Sequence, residues 1–383
     1  MRVAMVCPYD WSIPGGVQTQ VRGLAEALVR AGTHVTVVTP VTDKRNRPAA
    51  AFELIGVGKS VSISANGSRA PVAPTPAAMT RTLRALRLVR PDLVHIHEPL
   101  TPGPSLAALV AGPRPIVGTF HRSGSDGLYR VEGLALRPFA RRMDTAVAVS
   151  EAARSTAREV LGPFLPSILV IPNGVDVRRY ALDPEVPAPA AREGEAMPLR
   201  ILFVGRHEER KGLAVLLEAV EILRRNAAAG EPARTARVQV VGDGPQTVDV
   251  RRRFAALDAT EWLGAVGDEE KVRLLRAADV FVAPSLRGES FGVVLLEAMA
   301  AGTAVIASDL PGYRLAAGEA ANWVPVGDAQ ALAAVLAEVL GVRAERERLV
   351  RMGNERVASY ALDSIAERYL EIYRRSVAAR QLT

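Results

Sequence analysis

Short apolar runs alternate with amphipathic stretches along the first half of the chain. In residues 17–31 and 80–89 the apolar side chains recur at helical spacing, and Gly32 follows the first stretch as a helix-ending residue. Alternation of strands and helices predicts a parallel sheet with crossover helices. Runs typical of buried strands occupy residues 2–7, 34–39, 93–97, 116–119, 146–149 and 168–171.

A break rich in proline and alanine at residues 182–198 interrupts this pattern, which then restarts. The predicted fold class is α/β, with two Rossmann-like domains facing a cleft. The predicted second-half strands are 199–204, 237–241, 280–283 and 304–307, and the predicted helices are 213–226, 271–277, 294–300, 329–340 and 364–379. The predicted boundaries are an N-terminal domain at 1–180, a linker at 181–198, a C-terminal domain at 199–363 and a helix at 364–383 that can cross back to the first domain.

Length and composition agree with this division. The chain has 383 residues, 49% of them hydrophobic and 23% charged, which is typical of globular domains. Its single cysteine, Cys7, excludes an internal disulfide and fits a reducing compartment. The apolar run at the N-terminus is too short for a signal peptide, and no apolar run is long enough to span a membrane, so we expect a cytoplasmic protein.

The densest chemical signal is the segment 288–302, which follows a predicted strand and opens a helix. The N–H groups of Phe291, Gly292 and Val293 would be unpaired at that helix start and would form a seat for a diphosphate. Glu289 precedes the helix and Glu297 lies about two turns inside it. Glu297 stands in an otherwise apolar stretch, where a solvated carboxylate is unexpected, so we interpret both as ligand-binding groups.

A second motif is the basic loop at 205–212, which also follows a predicted strand. Arg206 and Lys211 are five residues apart in this loop, so both can reach one pyrophosphate, the first as a fork and the second as a point charge. Ordinary surface charge is the alternative, but ligands bind at the carboxyl ends of strands in open α/β sheets. A weaker signal is the turn 262–266, where backbone groups around Val266 can approach a nucleotide base; plain turn chemistry explains it equally well.

Together these motifs resemble those of the family-4 retaining glycosyltransferases of the GT-B fold. The resemblance implies that Arg206 and Lys211 bind the diphosphate of a nucleotide-sugar donor, that Glu297 binds the ribose, and that Glu289 contacts the transferred sugar as a catalytic group. The matching segments are 171–176, 205–212, 289–297 and 300–303.

A metal is not expected at this site. No two Asp residues lie two positions apart, so the D-x-D motif of metal-dependent transferases is absent, and we expect no metal and no cofactor besides the donor. The diphosphate charge is then neutralised by Arg206, Lys211 and the helix N-terminus.

Glycines and histidines mark the ends of strands in the first half. Gly16 opens a helix after the first strand; a structural turn is one explanation, and in the family it lies near the donor phosphate. His95, which alternates inward, is interpreted as structural, and His97 with Glu98 lacks a third ligand at zinc spacing. By resemblance His121 contacts the sugar or acceptor and stabilises developing positive charge.

Charge is distributed unevenly. Of the net +7, residues 1–180 contribute +10 (22 Lys and Arg against 12 Asp and Glu) and residues 181–383 contribute −3 (26 against 29). No acidic residue occurs between 54 and 91, so the predicted helix there is basic and amphipathic, as in proteins that lie on anionic membranes. An ordinary surface helix packed on its own sheet is the alternative. Without a nucleic-acid motif, we expect no nucleic-acid partner. The cations predicted to contact the membrane are Arg81, Arg84, Arg87 and Arg90.

These features are most similar to those of the actinobacterial phosphatidyl-myo-inositol mannosyltransferases. The similar segments are 1–18, 66–68, 97–99, 119–121 and 288–308, whereas 122–130 and the linker depart from the pattern. The resemblance implies GDP-mannose as donor, a phosphoinositide lipid as acceptor, and peripheral attachment to the inner face of the plasma membrane. It also implies that the inositol phosphate head is bound by Tyr9, Gln18, Arg69 and His121.

Three alternatives stay open at the level of sequence. The same chemistry can serve a UDP-sugar and another lipid or a soluble acceptor. The chain can bind a nucleotide sugar without turnover, although Glu289 and Arg206 are both present. The third alternative is a GT-B phosphorylase, but the sequence offers no candidate for the lysine that would bind its cofactor.

Overall fold

The structure is a computed structural model of the chain. It describes residues 1–13, 15–43, 51–65, 68–124, 127–181, 198–228, 231–289 and 291–382, without the side chains of 64, 65, 68, 69 and 127–132. Most of the predicted linker and the side chain of Arg69 therefore lie outside the described part. The chain forms two compact units, the first comprising Met1–Gly174 with Leu362–Thr383 and the second Val175–Ala361.

The first unit is built on a seven-stranded parallel sheet in the order β3-β2-β1-β6-β7-β8-β9. Its strands are β1 (Arg2–Val6), β2 (His34–Thr39), β3 (Glu53–Gly56), β6 (Leu93–His97), β7 (Ile116–Phe120), β8 (Thr145–Ala148) and β9 (Ile168–Val170); β4 (Val61–Ala65) and β5 (Ser68–Val72) form a separate antiparallel hairpin. Its helices are α1 (Gly16–Arg30), α2 (Pro76–Val89), α3 (Pro104–Ala111), α4 (Gly127–Ala140), α5 (Glu151–Leu161) and α15 (Leu362–Gln381).

The second unit repeats the design with a six-stranded parallel sheet in the order β12-β11-β10-β13-β14-β15. The strands are β10 (Arg200–Val204), β11 (Arg237–Val241), β12 (Thr260–Gly264), β13 (Val280–Ala283), β14 (Ala304–Ser308) and β15 (Asn322–Val324). The helices are α6 (Val177–Tyr180), α7 (Leu213–Asn226), α8 (Pro232–Thr235), α9 (Thr247–Arg253), α10 (Asp268–Ala277), α11 (Val293–Ala300), α12 (Pro311–Ala317), α13 (Ala329–Gly341) and α14 (Arg343–Ala358).

Each sheet reverses its strand order at one point. In the first sheet the reversal separates β1 from β6, and in the second it separates β10 from β13. Loops that leave the carboxyl ends of two such strands diverge and leave a crevice in which ligands bind. In the second unit these loops are 205–212 and 284–292, the two segments that carry the predicted donor residues.

Apolar residues on both faces of each sheet form the cores. The last helix, α15, belongs to the first unit because Leu362, Ile365 and Tyr373 join the core made by β1 and α1. The fit is close: a Cβ added at Gly23 of α1 would lie 2.5 Å from Cδ1 of Leu362. The helix α15 thus packs on the sheet of the first Rossmann-like unit.

The boundary between the units differs from the predicted position at residue 180. The chain changes unit between Gly174 and Val175, because the short helix α6 packs on the second unit. Val175 N–H donates to the carbonyl of Tyr360, and the Tyr180 ring is buried in the second unit's core. The proline-rich segment that suggested a boundary after residue 180 follows α6, whereas the chain changes unit before α6.

Helix α2, which is predicted to contact the membrane, packs partly on the first unit. The helix starts where Thr75 accepts a hydrogen bond from Ala78 N–H and Pro76 takes the first position. Leu86 of the predicted apolar stripe is buried in the first unit's own core together with Ala85. The other members of the stripe are half-buried: Met79, Leu83 and Val89. The exposed face carries the predicted cations Arg81, Arg84, Arg87 and Arg90, together with Leu88, which is 76% exposed.

Within the described residues no helix has both the length and the apolar character needed to cross a bilayer.

Candidate active site

The loop after β10 and the loop after β13 are joined by ion pairs. Lys211 Nζ lies 2.6 Å from Glu289 Oε1, and Arg210 Nη1 lies 3.4 Å from the same oxygen. Both cations belong to the short 3₁₀ turn Glu209–Lys211, and the Lys211 and Glu289 side chains are only 19% and 11% exposed. One carboxylate oxygen therefore receives two cations at the carboxyl edge of the sheet.

The network continues outward through Glu208. Its carboxylate contacts Arg210 Nε at 2.8 Å and Arg206 Nη2 at 2.9 Å. Three cations and two carboxylates then alternate from Lys211 to Arg206, and the set has a net charge of +1. Arg206 is the most exposed member at 47%. The arrangement suits an anionic ligand, which would meet the guanidinium of Arg206 first.

Two glycines are needed for the backbones of these loops to approach. Gly212 (φ +68°) ends the basic loop, and a Cβ there would lie 1.9 Å from the carbonyl oxygen of Pro284. Gly292 (φ +83°) is the N-cap of α11, and a Cβ there would lie 2.5 Å from Cδ1 of Tyr313. Left-handed backbone and these contacts together select glycine at both positions.

The amino end of α11 has Gly292 as its N-cap. Its N-cap provides no side-chain hydrogen bond to the first turn, so the early N–H groups depend on other partners. Phe291 contributes backbone only, because its ring is buried against Tyr360 with the ring centroids 5.6 Å apart. Val293 begins the helix and is half-buried. The predicted diphosphate seat thus lies at the end of the helix that Glu289 precedes.

Glu289 accepts a hydrogen bond from one hydroxyl, which a second hydroxyl contacts in turn. Ser285 Oγ donates to Glu289 Oε1 at 3.1 Å and lies 2.8 Å from Tyr313 Oη. Burial, followed by the charge of Glu289, raises the pKa of Tyr313 well above its ordinary value, so the phenol stays protonated. Glu289 is therefore a fixed group whose position is set by Ser285, Lys211 and Arg210.

Glu297 is buried, as its apolar neighbours in the sequence indicate. Its side chain is 8% exposed, and Oε1 receives Tyr180 Oη at 2.9 Å and Lys271 Nζ at 2.8 Å. Burial, with the charge of Glu297 next, raises the pKa of Tyr180. A carboxylate oriented by a cation and a phenol is suited to accept hydrogen bonds from vicinal hydroxyls.

The turn 262–266, which is predicted to contact the nucleotide base, lies at the carboxyl end of β12. Val266 is half-buried in the loop between β12 and α10. His207 is buried, its Nδ1 lies 2.8 Å from Thr247 Oγ1, and its ring meets Trp262 edge-on at 5.9 Å. A Cβ on Gly244 would lie 2.7 Å from the His207 carbonyl oxygen. The glycine turn after β11 thus packs under the basic loop and supports it.

At the carboxyl edge of the first sheet, Gln18 binds the backbone of the loop that follows β1. Its Nε2 donates to the carbonyls of Asp10 and Ile13, both at 3.1 Å, and so fixes the loop after β1. Both donor hydrogens of this amide are used in the loop, so only its oxygen is left to contact an acceptor, and the predicted role of Gln18 in acceptor binding stays a prediction. Tyr9 is half-buried beside it, and a Cβ at Gly16 would meet nothing within 4 Å.

His121 follows β7 and is fixed at two points. Its backbone N–H donates to Glu98 Oε1 at 2.6 Å, and its ring Nε2 lies 2.9 Å from His97 Nδ1. Burial raises the pKa of Glu98 to about 7, against the backbone N–H groups of His121 and Arg122, which lower it. Glu98 also has φ +48°, an uncommon conformation for a residue with a side chain. His95, interpreted as structural, is buried between Thr119 and Tyr373.

Among the described residues no cluster of three or more His, Cys, Asp or Glu side chains could hold a metal ion.

Comparison with known proteins identifies the family of the chain. Residues 14–179 match the family model "Glycosyltransferase Family 4" and residues 198–341 match "Glycosyl transferases group 1". A phosphatidyl-myo-inositol mannosyltransferase of Mycolicibacterium smegmatis is 40% identical over 379 residues, covering 97% of this chain and 93% of the relative. A protein of the same name from Mycobacterium leprae is 37% identical, covering 97% and 96%. The chain belongs to the phosphatidyl-myo-inositol mannosyltransferase family.

Solved structures agree on the fold of this glycosyltransferase. A sucrose-phosphate synthase from Thermosynechococcus elongatus superposes with a TM-score of 0.73 at 21% identity, covering 99% of each chain. The α/β GT-B class with two Rossmann-like domains is thereby confirmed, as is the resemblance to the family-4 glycosyltransferases.

Several residues of this mannosyltransferase family member were missed by the sequence reasoning. Arg210 precedes Lys211 in the same basic loop. It contacts Glu289 because of its place in the 3₁₀ turn, which the sequence did not predict. Lys271 and Tyr180 contact Glu297 from 26 and 117 residues away, which no local pattern reveals. Glu98 was considered only as a metal ligand, although a buried acid after a strand is itself a signal of function.

Proposed function

We propose that this chain transfers mannose from GDP-mannose to the inositol of a phosphatidylinositol, with retention of the anomeric configuration, at the cytoplasmic face of the membrane. The names of the relatives support the sugar and the acceptor. The single observation that carries the donor chemistry is the contact of Lys211 with Glu289 beside the amino end of α11. It brings a cation, a carboxylate and open backbone amides to one point at the reversal of the sheet.

The donor diphosphate binds at that point. Arg206 and Lys211 take its two phosphates, and the N–H groups of Phe291, Gly292 and Val293 receive the distal oxygens at the positive end of the helix dipole. Arg210 adds a third cation, since it contacts both Glu208 and Glu289. The charge that develops on the leaving nucleotide is thus stabilised by groups already in place, which lowers the barrier without reorganisation.

The sugar and the nucleoside lie on either side of the diphosphate. Glu297, oriented by Lys271 and Tyr180, accepts hydrogen bonds from the ribose hydroxyls. Glu289 contacts hydroxyls of the mannose through the oxygen lone pairs that Lys211 does not occupy. Backbone groups near Val266 contact the base.

The reaction proceeds without a metal ion in this proposal. The sequence lacks a D-x-D motif, and Arg206, Arg210 and Lys211 supply the positive charge that an ion would otherwise provide. The acceptor hydroxyl attacks from the face that the phosphate leaves, and no side chain forms a covalent intermediate. The backbone carbonyl of His121 stabilises the positive charge that develops on the sugar, and its ring contacts the sugar or acceptor.

The acceptor is bound by the first unit. Its inositol phosphate contacts Tyr9, Arg69 and His121, and Gln18 contributes by fixing the Asp10–Ile13 loop. The exposed face of α2 then approaches the anionic membrane through its arginines and Leu88, at about 1 kcal/mol per cation near the surface.

A thermal-shift panel of GDP, UDP and ADP tests the donor assignment. We expect GDP to stabilise the protein more than UDP or ADP does, by about 2.7 kcal/mol at one hundred times its dissociation constant. An Arg206→Ala variant should lose most of the shift in melting temperature that GDP causes. Stabilisation by UDP alone would refute the mannosyl assignment.

A further inference from the structure

Two histidine rings share a hydrogen bond at the edge of the first sheet. His97 ends β6, and His121 directly follows β7, the neighbouring parallel strand, in which Thr119 is the register partner of His97. Nδ1 of His97 lies 2.9 Å from Nε2 of His121, and the ring centroids are 5.2 Å apart. The two residues are 1% and 8% exposed, so the bond is largely shielded from solvent.

Both rings are neutral at physiological pH. Burial lowers the pKa of His121 to about 4, and burial followed by the charges of His95 and His121 lowers the pKa of His97 well below its ordinary value. A neutral imidazole has one N–H and one lone pair. In a hydrogen bond between two such rings, one donates and the other accepts, so the tautomer of one ring fixes that of the other.

The second nitrogen of His97 decides between the two arrangements. Nε2 of His97 is buried and has no hydrogen-bond partner among the described residues. If His121 were the donor, His97 would carry its proton on this nitrogen as an orphaned buried N–H. If His97 is the donor, only an acceptor is left unpaired there. Among buried backbone groups an orphaned N–H is rarer than an under-satisfied acceptor, and we apply the same preference to this ring.

We propose that His97 is a positioning residue that donates its Nδ1–H to His121 and thereby holds His121 in the Nδ1–H tautomer, so that His121 presents an N–H donor to the sugar or acceptor. This inference rests on the proposed function, in which His121 contacts the reacting sugar. In this proposal His97 orients a second histidine, which is neither the role of a zinc ligand nor that of a residue that only fills the core.

The surroundings keep His97 in place. Its backbone carbonyl accepts a hydrogen bond from Ser105 Oγ at 2.7 Å, and its ring lies 4.2 Å, centroid to centroid, from that of His95. His95 is itself fixed, with Nε2 2.7 Å from Thr119 Oγ1 and Nδ1 2.6 Å from Tyr373 Oη. Because Tyr373 belongs to α15, the C-terminal helix helps to set the orientation of this row of rings.

Nitrogen-15 NMR of the histidine-labelled full chain tests the tautomer directly, and only five histidines need assignment. We expect Nε2 of His121 to show the shift of an unprotonated nitrogen and Nδ1 that of a protonated one. In His97→Leu this preference should be lost, whereas His97→Asn, whose amide N–H can donate in place of Nδ1–H, should retain it. Unchanged signals from the exposed His34 and from His207 of the second unit verify that the variants are folded.

Kinetics complete the test. With GDP-mannose and phosphatidylinositol vesicles, we expect His97→Leu to lower kcat by on the order of 10- to 100-fold with little change in KM for the donor, and His97→Asn to recover most of it. A His121 protonated on Nε2, or a tautomer that survives in His97→Leu, overturns the proposal. Absence of transferase activity in the unmodified protein would instead refute the proposed function, while the NMR result would still decide the tautomer.

Discussion

Lys211 Nζ and Glu289 Oε1 lie 2.6 Å apart although 78 residues separate them along the chain. Each follows one of the two strands, β10 and β13, between which the strand order of the second sheet reverses. The topology places the two loop segments together, and the ion pair fixes the carboxylate next to the amino end of α11, where we propose that the diphosphate binds.

Replacing Lys211 tests this contact. Lys211→Met leaves Glu289 with Ser285 and the longer contact to Arg210, and it removes a cation from the leaving group. We expect kcat to fall by about 10²- to 10³-fold, the usual effect of removing one transition-state donor, in a steady-state assay of nucleotide release.

Arg252→Met is the matched control, because Arg252 is 80% exposed and pairs only with Asp249 in the described contacts of α9. Its kcat should stay within about twofold of the unmodified protein. Equal losses in both variants would contradict a specific role for Lys211.

Gly292→Ala tests the geometry of the helix start. A methyl group there would lie 2.5 Å from the Tyr313 ring, in a backbone of φ +83°. We expect the free energy of unfolding to fall by about 2–4 kcal/mol, measured by urea titration. Gly341→Ala is the control, since a Cβ there meets nothing within 4 Å, and its unfolding free energy should change by less than about 0.5 kcal/mol.

Glu98→Gln should change how stability depends on pH. Burial raises the pKa of Glu98 from 4.5 to about 7. Between these values the folded protein keeps a proton on Glu98 that the unfolded chain releases, so this group makes the protein less stable as the pH rises. Glutamine cannot ionise, and the variant should gain about 1.4 kcal/mol per pH unit relative to the unmodified protein across that window. Urea titrations at pH 5, 6 and 7 measure the difference; a difference that does not vary with pH would contradict the assignment.

Removing two cations from α2 tests membrane contact. Arg84→Gln with Arg87→Gln removes about 2 kcal/mol of attraction, so binding to vesicles containing phosphatidylinositol should weaken about 30-fold at low salt. The control is Arg252→Gln with Arg253→Gln, which removes the same charge from exposed positions of α9. Equal weakening in both pairs would show that net charge, and not α2, determines binding.

Local patterns predicted much of the fold. The strands His34–Thr39, Leu93–His97, Arg237–Val241 and Val280–Ala283 and the helix Leu213–Asn226 have the predicted bounds. Helix α14 was missed because half of its residues are charged. The structure stabilises it through tertiary contacts, such as Arg346 Nη1 donating to the carbonyls of Val339 and Leu340.

The candidate site was predictable where one segment carries the whole signal. The buried Glu297 followed from its apolar neighbours, and the glycine at 292 from the helix start. Contacts between distant segments were not predictable, because they depend on which side chains the sheet order brings together. The use of Gln18 within its own loop, the contacts of Lys271 and Tyr180 with Glu297, and the bond of His97 to His121 are of this kind.

Turnover of GDP-mannose with phosphatidylinositol vesicles, followed by NMR of the product, tests the central claim most directly. The account predicts a mannosylated phosphatidylinositol whose anomeric linkage has the same configuration as the donor, formed without added metal and lost in Lys211→Met. An inverted linkage, or transfer from UDP-sugars alone, would contradict it.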